Sequence, residues 1–231
     1  DYVIVQNQLR KDILAKSGIS REKIRVLGSA RFCWEWIAQN NKVLPRILAS
    51  NGTGVGKLKV VFMPSKPRCR VDVDRMRNTI KILASIREIE VVIKPHTRIG
   101  REAWLFDNMP LPNVSSVHTP ELIEWAEVVL IIGSSVITEA LMQNKAVLYL
   151  KYLHENTMLF EELGACWTIH SESELEQALQ SLQVNKMEVP YSAESVNRYL
   201  SEVVYGGENT RDVLRDYVQF IVNCKVNSEA D

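Results

Sequence analysis

Short, uninterrupted runs of apolar residues alternate along this chain with longer stretches that have helical spacing. The clearest runs are VVFM at 60–63, VVI at 91–93 and VVLII at 128–132. Runs of this kind are typical of strands that a parallel sheet buries on both faces. Strands that alternate with helices form right-handed βαβ units. The pattern therefore predicts an α/β fold with a doubly wound, Rossmann-like parallel sheet.

The alternation is interrupted once. Residues 1–45 contain two predicted strands and two predicted helices, which are too few to form a domain alone. Residues 46–56 are flexible by composition and are predicted to be a linker. Residues 57–231 are predicted to form one doubly wound domain that ends in two closing helices. Within this domain, the stretch 113–119 is predicted to be a short strand.

Charge balance and cysteine spacing argue against several classes of function. The 231 residues include 28 Lys+Arg and 28 Asp+Glu, so no net field attracts nucleic acid. No apolar run reaches the ~20 residues that a membrane-spanning helix needs. No two of the four cysteines are close enough for a CxxC metal or redox pair. We interpret the chain as cytoplasmic, without a metal site, and, since it does not begin with methionine, as part of a longer protein.

Polar side chains follow four consecutive predicted strands. In doubly wound sheets, ligands bind outside the carboxyl ends of the strands, near the point where the strand order reverses. Hydroxyls, cations and imidazoles gathered at that edge predict a nucleotide- and phosphate-binding site. The candidate residues are Ser65, Lys66, Lys94, His96, Arg98, Gly133, Ser134, Ser135, Thr138 and Glu139, and the polar stretch 151–156 follows the fourth strand.

Gly133, Ser134 and Ser135 open a predicted helix directly after a buried strand. Backbone N–H groups and the helix dipole favour an anion at such a position, and the two hydroxyls add donors. Alternatively, Ser134 or Ser135 serves only as the helix N-cap. Glu139 lies one helical turn beyond Ser135, where it would accept hydrogen bonds from a ribose diol or would be a surface carboxylate.

His96 lies close to two cations in the sequence, Lys94 and Arg98. A lone histidine after a strand is more often structural, but this charged neighbourhood favours contact with a phosphate. Ser65 and Lys66 follow the preceding predicted strand. We expect them to face the same crevice as His96.

Lys94-Pro95-His96 followed by Gly133-Ser134-Ser135 is similar to two motifs of bacterial surface-polysaccharide enzymes with the GT-B fold. They are the His-Pro and Ser-Ser/Thr motifs of sialyltransferases, capsular Kdo transferases and CDP-glycerol glycerophosphotransferases. In those families the histidine and the serine pair contact a cytidine nucleotide and its phosphate. The resemblance implies that residues 57–231 are the C-terminal, nucleotide-binding Rossmann-like domain. It also implies that residues 1–45 are the end of an N-terminal Rossmann-like domain.

The resemblance implies a glycosyltransferase that takes a nucleotide-activated sugar, with a CMP-sugar as one donor that fits. The expected product is a bacterial surface polysaccharide such as a capsule or lipopolysaccharide. The expected partners are the nucleotide-sugar donor and a glycan or lipid-linked acceptor, with no cofactor and no nucleic acid. The implied location is cytoplasmic, with peripheral association at the inner face of the membrane also allowed. In this fold the general base normally comes from the N-terminal domain, so no catalytic residue is named and the chain alone is expected to bind without turnover.

Three other interpretations stay open. A UDP-GlcNAc 2-epimerase-like enzyme has the same fold, and its Gly-Gly-x-x-x-x-Glu-Glu-like helix start is loosely matched by residues 133–139. A CDP-glycerol glycerophosphotransferase shares the His-Pro and serine motifs. A non-catalytic nucleotide-binding or scaffold module would keep the fold with a degenerate pocket.

Overall fold

The computed structural model describes residues 1–44, 56–65, 70–96, 106–186 and 188–228. Contacts divide the chain into two compact units. The smaller unit combines residues 1–43 with residues 194–231, and the larger unit comprises residues 44–193. The closing helices therefore group with the first 43 residues by contact. The predicted domain boundaries stay a prediction, and the predicted linker lies outside the described residues except for Gly56.

The smaller unit contains a two-stranded parallel sheet and four helices among its described residues. Its elements are β1 Val3–Val5, α1 Gln8–Lys16, β2 Ile24–Val26, α2 Trp34–Val43, α8 Ala193–Val203 and α9 Val213–Ser228. The side chain of Asn7 begins α1 by accepting a hydrogen bond from the backbone N–H of Arg10 at 3.0 Å. Residues 1–43 thus contain the two strands and two helices that their sequence predicts.

The larger unit is built on a five-stranded sheet in which all neighbouring strands are parallel. The strands are β3 Leu58–Met63, β4 Ile89–Ile93, β5 Val128–Ile131, β6 Ala146–Leu150 and β7 Trp167–Ile169. Their order across the sheet is β4-β3-β5-β6-β7. The apolar runs of the sequence all lie in these strands, so the doubly wound, Rossmann-like α/β fold is confirmed.

Five helices connect or follow these strands in the described part of the larger unit. They are α3 Val73–Ser85, α4 Thr119–Trp125, α5 Val136–Met142, α6 Leu159–Glu162 and α7 Glu172–Val184. Asp72 caps α3 by accepting from the N–H of Arg75, and Ser171 caps α7 by accepting from the N–H of Glu174. Each cap satisfies a backbone donor that a helix start leaves open.

Helices cover both faces of the larger sheet. On one face, α3 and α7 form a single apolar core with strand residues such as Val60, Leu130 and Leu148. Strand residues that point the other way, such as Val129 and Val147, are also fully buried. The helices α4 and α5 contact each other and also contact strands of the sheet. Two buried faces explain why these strands lack alternating polar residues.

One predicted element is wrong. The stretch 113–119 is not a strand, because only an isolated bridge joins Asn113 to Ile93. The N–H of Val114 donates to the carbonyl of Ile93, and the chain then turns as the N–H of Val117 donates to the carbonyl of Val114. This turn ends the pairing before a ladder can form. The next helix, α4, begins at Thr119.

Candidate functional site

The strand order creates a switch point at the carboxyl edge of the larger sheet. From β3 the chain passes to β4 on one side and then to β5 on the other side of β3. Ligands of doubly wound proteins bind at such a point. The last paired residues of β3 and β5 are Met63 and Ile131, so the two loops that follow begin side by side. The sequence predicts that Ser65 and Gly133 lie at one edge, and their loops meet there.

A hydrogen bond ties the two loops of the switch point together. Ser65 is only 8% exposed, and its hydroxyl donates to the backbone carbonyl of Ile132, the residue before Gly133. The hydroxyl proton is therefore used within the protein, and the oxygen keeps its capacity to accept. The structure thus gives Ser65 a structural role at the site, while direct contact with a ligand stays a prediction.

Gly133 turns the chain between β5 and α5 in a conformation that favours glycine. Its φ is +55°, in the left-handed region. A Cβ atom added there would lie 2.3 Å from Nε2 of His154, which is far inside van der Waals contact. The imidazole of His154 therefore lies directly against the turn that the sequence proposes as the phosphate site.

His154 is held in one orientation and one neutral tautomer. Its Nδ1 accepts a hydrogen bond from the backbone N–H of Asn156 at 3.1 Å, and the hydroxyl of Tyr149 lies 3.3 Å from the same atom. Because Nδ1 accepts, the neutral ring has its proton on Nε2, the atom that lies against Gly133. Burial lowers the pKa of His154, an effect to which the nearby Lys151 ammonium adds. The ring is thus a neutral N–H donor at the turn.

The sequence did not single out His154. It lies in the polar stretch 151–156 that follows β6. The rule that ligands bind outside the carboxyl ends of the strands, which we call the strand-end rule, applies to all six of these residues equally. His154 is only 7% exposed, and its ring contacts Gly133 and Asn156. These contacts, which only the folded chain shows, identify it as part of the site. No local sequence signal distinguishes it from its neighbours.

The two serines of the turn differ in their roles. The hydroxyl of Ser134 accepts from the backbone N–H of Val136 at 3.3 Å, as a capping residue does. Ser135 occupies the N-cap position of α5, is exposed, and makes no side-chain cap bond. Thr138 and Glu139 lie within α5 and are buried, at 3% and 9% exposure. The alternative that Glu139 is a surface carboxylate is therefore wrong, and its contact with ribose stays a prediction.

Lys94 has a structural role that the sequence did not predict. Its Nζ donates to the carbonyls of Ser115 at 3.0 Å and Val117 at 2.5 Å, which fixes the loop before α4. The side chain is 6% exposed, and burial lowers its pKa. An ammonium has three donors, and two of them serve these carbonyls. A contact between Lys94 and a phosphate stays a prediction, and at most one N–H donor of the ammonium group is left to make it.

The remaining candidate residues are His96, Lys66 and Arg98. The backbone N–H of Lys94 donates to the carbonyl of Phe62, which keeps the end of β4 against β3, and half-buried His96 follows two residues later. Lys66 and Arg98 lie outside the described residues. Their predicted contacts with phosphate therefore stay predictions.

A cavity of about 820 Å³ opens at the same carboxyl edge, and its lining residues include His154, whose ring lies against the turn. We call it the Arg75 cavity. Its lining residues lie at the start of α3 and directly after β6, and they are Arg70, Val71, Asp72, Arg75, Lys151, Tyr152, Leu153, His154 and Glu155. Two contacts join these segments: Val71 forms an isolated bridge with His154, and the N–H of Asp72 donates to the carbonyl of Leu153.

Neither a cluster of metal-binding side chains nor a membrane-spanning helix is present in the described part of the chain. Among the described residues, no group of three or more His, Cys, Asp or Glu side chains is placed to hold a metal ion. Within the same part of the chain, no helix is both long enough and apolar enough to span a membrane.

No protein-family model matches the sequence, and neither does any curated protein. Solved structures do match the fold. The wall teichoic acid polymerase TagF aligns with 100% of this chain and 59% of its own, at 14% identity and a TM-score of 0.59. UDP-GlcNAc 2-epimerase from Methanocaldococcus jannaschii aligns with 86% of this chain and 60% of its own, at 18% identity and a TM-score of 0.57.

A third similar structure is a putative UDP-N-acetylglucosamine 2-epimerase from Listeria monocytogenes. It aligns with 87% of this chain and 58% of its own, at 18% identity and a TM-score of 0.54. The chain thus spans about three-fifths of the length of these proteins. The likeness shows a shared fold, the Rossmann-like architecture of GT-B enzymes.

Proposed function

We propose that this chain is the nucleotide-binding part of a glycosyltransferase and that its larger unit binds a nucleotide-activated sugar. One observation carries the proposal: the loops after β3 and β5 meet at the switch point of a doubly wound sheet, with hydroxyls and an imidazole N–H around the Gly133 turn. A switch point is where this architecture binds ligands. We name this group of residues, Ser65, Gly133, Ser134, Ser135 and His154, the switch-point site.

The donors of the switch-point site suit a phosphate group. The hydroxyl of Ser135 is not used by the helix cap, and the Nε2–H of His154 lies against the turn. A phosphate accepts several hydrogen bonds, and donors fixed in advance bind it without reorganisation. Ser65 holds the loop after β3 against this turn and so fixes the width of the site.

The similar structures have ligands of the proposed class. A TagF variant was soaked with CDPG, and the Methanocaldococcus jannaschii epimerase was solved with UDP-GlcNAc and UDP. UDP-GlcNAc is a nucleotide-activated sugar, and UDP is the same nucleotide without the sugar. By analogy of fold, we propose the same class of ligand for this chain, with a CMP-sugar as the donor and a bacterial surface polysaccharide as the product.

In the proposed reaction, a hydroxyl oxygen of the acceptor bonds to the sugar carbon and releases its proton to solvent. The bond between that carbon and the phosphate oxygen breaks, and the nucleotide leaves with an added negative charge. Donors that lie near this charge lower the barrier because they bind the transition state more strongly than the substrate. We assign this role to the Ser134 and Ser135 hydroxyls and to His154, with His96 as a further contact. Glu139 is proposed to bind ribose. No catalytic base is assigned.

Isothermal titration calorimetry with CMP, CDP, UMP and UDP tests the proposal. We expect at least one nucleotide to bind at millimolar concentration or below, and Ser135→Ala and His96→Ala to weaken that binding. Ser173→Ala and His170→Ala are matched controls, because both residues are exposed and distant in sequence from the site. If no nucleotide binds at millimolar concentration, the proposal fails. If binding persists unchanged in both site variants, the nucleotide lies elsewhere.

A UDP-GlcNAc 2-epimerase-like activity is a second candidate. The structural likeness to two proteins of that title favours it, as does the run from Gly133 to Glu139 at the start of α5. The same titration separates the candidates, because a clear preference for UDP over CMP and CDP would favour the epimerase. A chain that binds none of the four nucleotides would instead be a scaffold module with the same fold.

A further inference from the structure

We propose that Tyr149 is a positioning residue for nucleotide binding and that, with the backbone of Asn156, it fixes His154 as a neutral N–H donor to the phosphate. This inference rests on the proposed nucleotide function and describes how the switch-point site makes its contact. A histidine beside a leaving phosphate can act as a cation, as a general acid or as a neutral donor. The contacts of the His154 ring decide among these three roles.

The Nδ1 atom of His154 faces a donor that cannot be reversed. The backbone N–H of Asn156 points at this atom, and the two nitrogens are 3.1 Å apart. Protonation of Nδ1 would place two N–H groups against each other and break this hydrogen bond. An imidazolium is protonated on both nitrogens, so the contact disfavours the cation. A histidine that acts as a general acid starts from the cation, and the same contact disfavours that role.

The other nitrogen of the ring, Nε2, lies against the Gly133 turn. The neutral ring has its proton on Nε2, because Nδ1 accepts. A neutral N–H that donates to a charged phosphate still makes a charge-assisted hydrogen bond. The ring therefore needs no charge of its own to bind a phosphate at the turn.

Tyr149 contacts both partners of the hydrogen bond that fixes the tautomer. Its hydroxyl donates to the carbonyl of Asn156 at 3.0 Å and lies 3.3 Å from Nδ1 of His154. The side chain is fully buried, and its ring packs edge-on against the rings of His154 and Phe160, with centroids 5.5 Å and 5.0 Å away. Burial raises the pKa of Tyr149, so the hydroxyl keeps its proton. Tyr149 thus holds Asn156 and His154 in one arrangement.

A second donor supports the carbonyl of Asn156. The Nζ atom of Lys151 donates to this carbonyl at 3.0 Å and to the Glu161 carboxylate at 3.0 Å. The N–H of Met158 donates to the same carboxylate oxygen at 3.3 Å, so the segment after β6 is closed on itself. Supporting hydrogen bonds of this kind orient a binding group before its ligand arrives.

The charged groups around the ring balance, so they do not favour the cation. Among the described residues, groups of both signs lie on its own segment, at the start of α3 and on α6, while the residues of the Gly133 turn carry no charge. The cations are Lys151, Arg70 and Arg75, and the carboxylates are Glu155, Asp72 and Glu161. Burial therefore decides, and it lowers the pKa of His154.

Two substitutions separate the roles of the two ring nitrogens. The amide of glutamine reaches the place of Nε2, whereas the amide of asparagine reaches the place of Nδ1. His154→Gln therefore keeps a neutral donor at the turn, and His154→Asn keeps only an acceptor for the N–H of Asn156. Calorimetry with CMP, CDP, UMP and UDP on the whole chain should show near wild-type affinity for His154→Gln. His154→Asn should bind about tenfold more weakly, since it loses a hydrogen bond to a charged group.

Urea unfolding of the same two variants gives a readout of the structural role alone. His154→Asn should be the more stable variant, because its amide oxygen can accept from the N–H of Asn156. Stability and nucleotide affinity should therefore rank the two variants in opposite orders. A ring with only a structural role would give the same order in both measurements.

Tyr149→Phe tests the positioning role. It should weaken nucleotide binding about threefold or more in the wild-type chain, because the carbonyl of Asn156 loses one of two donors. In the His154→Asn chain, which has no donor at the turn, the same substitution should have no effect. Tyr191→Phe is the matched control, because the Tyr191 hydroxyl also bonds to β6, through the N–H of Val147 at 3.0 Å near the other end of the strand. It should leave the affinity unchanged.

The pH dependence of binding tests the neutral state of the ring. The ratio of wild-type to His154→Gln affinity cancels the titration of the nucleotide itself. This ratio should stay constant between about pH 8 and about pH 6, because a neutral ring gains no charge on binding. If the ring bound as a cation, the phosphate would raise the pKa of the ring and the ratio would rise as the pH falls.

Each outcome bears on one of the two proposals. If nucleotide binds and His154→Asn is as tight as His154→Gln, the donor role is overturned, and a ratio that rises as the pH falls overturns the neutral state. Equal effects of Tyr149→Phe in both backgrounds, or no effect in either, overturn the positioning role and leave nucleotide binding intact. The two His154 variants give their answer even where Tyr149→Phe does not fold. If the wild-type chain binds none of the four nucleotides, the proposed function fails first, and the inference fails with it.

Discussion

The contact between Gly133 and His154 predicts a specific coupling between two substitutions. Gly133→Ala places a methyl group 2.3 Å from Nε2 of His154 at a residue whose φ is +55°. A non-glycine residue in that region costs of order 1–3 kcal/mol. The buried ring must also move, which breaks the hydrogen bond from the N–H of Asn156 and costs about 1 kcal/mol more. We expect Gly133→Ala to lower the free energy of unfolding by about 2–4 kcal/mol.

A double-mutant cycle separates the two contributions. In the His154→Ala background the clash is absent, so Gly133→Ala should cost only the backbone term, and the two substitutions should show a coupling of about 1 kcal/mol. Urea unfolding of the four chains measures it. Gly56→Ala is the control for backbone strain alone, because Gly56 has a φ of +96° and nothing within 4 Å of an added Cβ. Equal costs of Gly133→Ala in both backgrounds would refute the contact and the account of the turn.

Three further predictions concern groups at the same edge of the sheet. Burial lowers the pKa of His154, so the folded chain resists protonation of the ring. The contribution of the neutral ring to the free energy of unfolding is complete above the ordinary pKa of 6.5, and it should be lost as the pH falls through the lowered pKa of the folded state. Urea unfolding between about pH 8 and about pH 5 should show a smaller decrease for His154→Gln, and equal slopes would contradict this. Ser65→Ala should cost about 1–3 kcal/mol, since it leaves a buried carbonyl without its donor, whereas Ser85→Ala, which removes an exposed hydroxyl, should cost under about 1 kcal/mol. Lys94→Met should lower the free energy of unfolding by about 1–3 kcal/mol because two loop carbonyls lose their donor, and an unchanged thermal midpoint would contradict that role.

The fold of the larger unit could be predicted from the sequence because its strands are buried on both faces. A strand that is buried on both faces needs an uninterrupted run of apolar residues, and VVFM and VVLII are runs of this kind. The prediction of a strand at 113–119 was wrong because this stretch turns after one isolated bridge and forms no ladder.

The site was only partly predictable, because long-range contacts decide what each polar group does. The strand-end rule correctly gathers Ser65 and Gly133 at one edge. It gives no information about the carbonyls that accept from Lys94, which lie 21 and 23 residues further along the chain. It also cannot distinguish His154 within a polar stretch of six residues, because the contacts with Gly133 and Asn156 that place its ring at the site form only in the folded chain.

The strand order across the sheet is the other property that local patterns do not contain. Alternating strands and helices predict parallel pairing, but they do not say on which side of β3 the chain places β4 and β5. That choice creates the switch point and therefore the site. The smaller unit illustrates the same limit, because residues 194–231 group with residues 1–43 by contacts that no local pattern predicts.

The central claim is that the switch-point site holds the phosphate of a nucleotide, and a crystal structure of the chain soaked with CDP tests it most directly. The account predicts density for a phosphate within hydrogen-bonding distance, about 3 Å, of the Ser135 hydroxyl and of Nε2 of His154. A Gly133→Ala crystal soaked in the same way should lack that density. Nucleotide density that lies away from the Gly133 turn in the wild-type crystal, or its presence at full occupancy in the variant, would contradict the claim.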